Sequence, residues 1–147
     1  IGVRLVGSEM CIRDRNINVP TLIISISDTD TPIPNILAEH AKENPNIVHI
    51  EFLQFDDIDC AEEIHGLKPM SEDEASVIVD AFEKYWGTVD QIIVHCDAGY
   101  SRSPAVAAAI AKAMGESDEM YFSGGEYCPN RHVYRTLLNE FSNRGYF

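Results

Sequence analysis

Apolar positions in this chain follow two periods, and their alternation lays out its elements. Thr21-Leu22-Ile23-Ile24-Ser25-Ile26 is a continuous apolar run, which predicts a buried strand. The polar stretch 27–32 follows with turn and N-cap chemistry. From Pro32 to Lys42 the spacing changes to helical, with Ile33, Ile36, Leu37 and Ala41 on one face; Glu43-Asn44-Pro45-Asn46 ends that helix. Ile47-Val48-His49-Ile50-Glu51-Phe52-Leu53 predicts a second strand. Ser71-Glu72-Asp73-Glu74 is a capping box, and it opens a helix carrying Ala75, Ile78, Val79, Phe82, Tyr85 and Trp86 at helical spacing, with Gly87 as its stop. These aromatics read as core. Residues 91–94 predict a central strand, and the Ala-rich run 105–114 predicts a narrow helix ended by Gly115. A short helix over 117–122, a Gly124-Gly125 loop and a last helix opened by Pro129-Asn130-Arg131-His132 complete the pattern. The last helix has Tyr134, Leu137, Leu138 and Phe141 as its apolar face.

Strands alternating with helices predict an α/β domain with a central, mainly parallel sheet flanked by helices. The length of 147 residues suits one such domain. Residues 6–15 show no clear period, and 1–15 read as a non-native or disordered leader, so the domain is assigned to 16–147. The net charge of −13 argues against nucleic acid or an anionic membrane as partner. No run reaches the length of a membrane span, and no secretory signal pattern is evident. Cysteines 11, 60, 96 and 128 have neither metal-ligand nor disulfide-framework spacing. The expectation is a cytoplasmic protein with reduced thiols and no metal or cofactor.

The chemistry concentrates in Val94-His95-Cys96-Asp97-Ala98-Gly99-Tyr100-Ser101-Arg102-Ser103-Pro104, between the central strand and the Ala-rich helix. A helix N-terminus offers unpaired N–H groups and partial positive charge. Successive N–H groups in a tight loop, here 97–102, make an anion-binding nest. Gly99 allows a backbone conformation that a side chain would block. Arg102 presents a planar fork that fits two phosphoryl oxygens. Cys96 sits in that field, which favours the nucleophilic thiolate.

His95-Cys96, five residues, then Arg102-Ser103 resembles the signature of the cysteine-dependent protein tyrosine phosphatases, and the full wording most resembles their compact dual-specificity branch. The resemblance implies a phosphatase that acts on a phosphate monoester, protein phosphotyrosine foremost with phosphoserine or phosphothreonine also open, through a phosphocysteine. In that scheme Cys96 is the nucleophile. Arg102 and the loop of Asp97, Ala98, Gly99, Tyr100 and Ser101 hold the phosphoryl oxygens. Ser103 bonds the sulfur, and His95 supports the loop. The resemblance places a general-acid Asp in the acidic loop Gln54-Phe55-Asp56-Asp57-Ile58-Asp59. Asp57 is the position matched to it, 39 residues before Cys96. An insertion over 60–70 keeps Asp59 and Asp56 as alternatives. Arg131 reads as surface or structural, with phosphate binding as its other reading. The loop carries no lysine, which disfavours phosphoinositides and leaves a phosphorylated protein or a small phosphomonoester as partner.

Two other classes fit parts of the pattern. A non-catalytic phosphate-binding module keeps the cradle but does no chemistry. A thiol redox or sulfur-transfer protein of rhodanese or arsenate-reductase type also places a Cys in an anion loop, and it needs Cys60 or Cys128 as a resolving thiol.

Overall fold

The structure, a computed structural model, describes residues 2–6, 16–33, 35–97 and 99–147. In chain order its elements are β1 (Gly2–Val6), β2 (Thr21–Ser27), α1 (Asn35–Glu43), β3 (Ile47–Gln54), α2 (Glu72–Tyr85), β4 (Gln91–His95), α3 (Arg102–Ala113), α4 (Glu119–Phe122) and α5 (Arg131–Asn143). The four strands form one sheet in the order β1-β4-β2-β3, and every pairing is parallel.

The two apolar runs lie where their patterns require. All seven residues of β2 are buried, because it lies between β4 and β3 and is covered on both faces. Successive strand side chains point to opposite faces. Leu22, Ile24, Ile26, Ile92 and Val94 therefore join the larger core with α2, α3 and α5, while Ile23 and Ile93 pack with Leu37 of α1, Ile17 and Ile47 on the other face.

Helix α3 lies deep. Residues 102–111 are all buried, since a helix of small side chains can approach the sheet and α5 closely. Ser71 caps α2 with both bonds of the capping box in place, as the sequence predicts. Asn130 caps α5 by accepting from Val133 N at 3.0 Å.

Several expectations need correction. Gly2–Val6, set aside with the leader, is edge strand β1. Its short run gains order from parallel pairing with β4, a tertiary partner that local pattern does not reveal. Residues 7–15 of that leader lie outside the described residues. Helix α1 is described from Asn35, and Ile33, placed on its apolar face, is 49% exposed ahead of it. Helix α2 ends at Tyr85 with Trp86 still in right-handed geometry, so Gly87 is not a left-handed stop. Trp86 is 42% exposed at this end, whereas Phe82 is core. Helix α3 begins at Arg102, three residues before the Ala-rich run.

Candidate active site

Strand β4 and helix α3 determine the position of the signature loop. β4 runs directly into it and β2 ends beside it in the turn that carries Asp28, and the carboxyl ends of parallel strands are where such sheets gather ligand groups. Cys96 follows the last residue of β4 and is 2% exposed. Its Sγ lies 3.2 Å from the buried Ser103 Oγ, in the first turn of α3. Gly99 adopts φ +68°, the left-handed conformation that lets the loop turn towards the helix. Tyr100 stands on the rim, half exposed. Ala98 lies outside the described residues.

Arg102, the first residue of α3, is 5% exposed. Its Nη1 donates to Asp28 Oδ1 and to the Phe55 carbonyl, both at 2.7 Å. Nη2 lies 3.6 Å from Asp97 Oδ2. Nε is buried with no partner among the described residues. One corner of the guanidinium is thus anchored by two short bonds, while Nε is free and Nη2 meets Asp97 only at longer range. Burial, together with the charge of Asp28, pushes the Asp97 carboxyl above the usual carboxylate range, against the pull of Arg102.

The three acidic-loop candidates separate by their contacts. Asp56 is buried and accepts from Lys68 N, Thr29 N and Thr29 Oγ1. Burial alone would raise its carboxyl, but these bonds outweigh it and hold the group below its ordinary range. It fastens the 28–31 turn to the 68 region. Asp59 accepts from His132 N at 2.8 Å and caps the start of α5. Asp57 is exposed and turns to the signature loop: its Oδ1 accepts from Ser101 Oγ and from Asn130 Nδ2, each at 2.8 Å. Asn130 also donates through Nδ2 to the Ile58 carbonyl at 3.0 Å, and its N–H bonds the Ser101 carbonyl at 3.0 Å. This one buried residue ties acid loop, signature loop and α5 together through its side chain and its backbone.

His95 is 2% exposed, and neither ring nitrogen has a hydrogen-bond partner among the described residues. Burial pushes its imidazole down to about 4, partly offset by the nearby Cys96 backbone. A native histidine ionising near 4 binds fewer protons between pH 4 and 6.5 than its unfolded counterpart, so stability falls as pH drops through that window. Urea unfolding at pH 5 should show about 2 kcal/mol less stability from this group than at pH 7. The His95→Gln variant should lose that part of the slope; an unchanged slope would place the effect elsewhere.

Sequence reasoning missed Asp28 and Asn130. Asp28 read as turn chemistry and Asn130 as a helix opener. The available signal for Asp28 was its place directly after the buried strand β2, at the same sheet end as Cys96. Arg131 is exposed and makes no ion pair among the described residues. Cys60, Cys96 and Cys128 are free thiols; Cys60 donates to the Glu62 carbonyl, and Cys128 is exposed. No helix among the described residues is long and apolar enough to cross a membrane.

No sequence-family model matches the chain, and no curated protein does either. Solved structures do. Tk-PTP in its active form superposes with TM-score 0.58 at 16% identity, over 97% of this chain and 90% of that one. The Cydia pomonella PTP-2 phosphatase gives 0.56 at 19%, over 92% and 84%. The human tyrosine phosphatase-like serine/threonine/tyrosine-interacting protein gives 0.51 at 21%, over 84% and 78%. The chain has the cysteine-dependent tyrosine phosphatase fold. Within this fold, its Cys96, Ser103 and Arg102 stand at the end of the central strand β4 and on the first turn of the buried helix α3.

Proposed function

We propose that this chain hydrolyses phosphate monoesters through a phosphocysteine, with protein phosphotyrosine as its substrate and phosphoserine or phosphothreonine within reach. The observation that carries this reading is the buried Arg102 guanidinium, fixed through Nη1 and unpartnered at Nε, on the loop that also holds the Cys96–Ser103 pair. A fixed planar cation with an unpartnered Nε, beside an Nη2 held only by the longer 3.6 Å contact to Asp97, suits two oxygens of a tetrahedral anion.

In the first step the Cys96 thiolate attacks phosphorus in line with the ester oxygen. A sulfur–phosphorus bond forms and the phosphorus–oxygen ester bond breaks. Asp57, held against the loop by Ser101 and Asn130, gives its proton to the departing oxygen. Arg102 and the loop N–H groups stabilise charge on the three equatorial oxygens. In the second step Asp57 takes a proton from water, which attacks the phosphocysteine and releases inorganic phosphate. The Ser103 hydroxyl donates to the departing sulfur, for which its 3.2 Å contact is suited. His95, neutral and buried, supports the loop and moves no proton.

Hydrolysis of para-nitrophenyl phosphate by the purified chain tests the reading, with inorganic phosphate release from a phosphotyrosyl peptide alongside. Turnover is expected with both. Asp57→Asn should lower kcat on the peptide about a hundredfold or more and remove the limb of the pH profile that requires a protonated acid. An unchanged peptide rate would take the acid role away from Asp57. A folded chain that binds vanadate without any turnover would leave a binding module in place of an enzyme.

A further inference from the structure

Arg102 carries two carboxylates, one on each terminal nitrogen. Asp28 bonds Nη1 at 2.7 Å, and Asp97 lies 3.6 Å from Nη2. The arginine side chain is 7% exposed, while those of Asp28 and Asp97 are 39% and 48% exposed. The cation is therefore enclosed, and the two carboxyls, within hydrogen-bonding reach of each other, meet solvent together at the mouth as an acidic pair. Each of these carboxylates has oxygens with acceptor capacity beyond its contact with Arg102. The whole chain adds a net charge of −13. Arg131, exposed at the start of α5, forms no ion pair with either group.

A phosphoryl group still has a strong inner donor, because Arg102 Nε is buried and unpartnered. A second anion on the same substrate would stand near Asp28 and Asp97, where like charges repel. A cation there would pair with them. Resting on the phosphatase reading, we propose that this mouth selects phosphorylated residues flanked by lysine or arginine and rejects polyanionic phosphate esters. Asp97 and Asp28 are its specificity-determining groups. The attraction is that of partly exposed ion pairs, up to about fivefold for each.

The test compares two phosphotyrosyl peptides of equal length, one flanked by lysines and one by glutamates. The unaltered chain should favour the lysine peptide in kcat/KM by about fivefold or more at low salt. Added sodium chloride should shrink that ratio. Asp97→Asn should reduce the ratio about threefold, and Asp97→Glu should restore it. The same ratio is read from dissociation constants in Cys96→Ser, which needs no turnover. A ratio at or below one, or one that Asp97→Asn does not move, overturns the proposal. Absence of para-nitrophenyl phosphate hydrolysis would instead count against the phosphatase reading, and the binding ratio would still judge the selectivity.

Discussion

Cys96→Ser should reduce turnover by roughly ten-thousandfold or more while the domain stays folded. The exchange replaces sulfur by oxygen in a buried site with a hydroxyl neighbour, Ser103 Oγ, at 3.2 Å, so packing and hydrogen bonding can persist. The loss is chemical. A serine hydroxyl needs a base to become a nucleophile, and Asp57 must carry its proton in that first step to serve the departing oxygen. His95 is adjacent in sequence but belongs to strand β4, is buried, and has no hydrogen-bond partner among the described residues. Hydrolysis assays paired with thermal unfolding check this. A folded Cys96→Ser that retains an appreciable fraction of the rate would mean another nucleophile.

Arg102→Lys should cost about a thousandfold in kcat/KM although it keeps the charge. The ammonium is a compact point charge with no planar fork. It cannot bond Asp28 and the Phe55 carbonyl through one nitrogen while offering a second, separate edge to two phosphoryl oxygens. The Phe55 carbonyl would also lose a 2.7 Å bond in a buried setting, a loss of about 1–3 kcal/mol in stability. Kinetics on the phosphotyrosyl peptide and urea unfolding read the two effects separately. A Lys variant within tenfold of the unaltered chain would show that charge alone suffices, and that the fork geometry is not the operative feature.

Much of the fold is legible because local patterns and tertiary needs agree. The apolar run of β2, the capping box of α2 and the small-residue helix α3 each carry their own signal. The signature loop is legible for the same reason: Cys96, Gly99, Arg102 and Ser103 lie within eight consecutive residues of strand–loop–helix. What sequence leaves open depends on contacts across long separations. Asp56, Asp57 and Asp59 are near-equivalent on paper. They part only when Thr29 and Lys68 bond the first, Ser101 and Asn130 the second, and His132 the third. Asp28 is 74 residues from the arginine it anchors, and its local setting is that of an ordinary turn. Strand β1 was missed because its order comes from β4 and not from its own pattern. The exposed Trp86 shows the reverse error, since helical spacing puts it on the core face while the end of α2 leaves it in solvent.

Trapping the proposed phosphocysteine provides the most direct test. The chain is mixed with a phosphotyrosyl peptide, quenched in acid within one turnover, digested and analysed by mass spectrometry. The account predicts one added phosphoryl group on the peptide containing Cys96, accumulating further in Ser103→Ala, where the sulfur leaves without its hydroxyl donor. Turnover that proceeds with no adduct in either protein, or with the phosphoryl group on another residue, would contradict it.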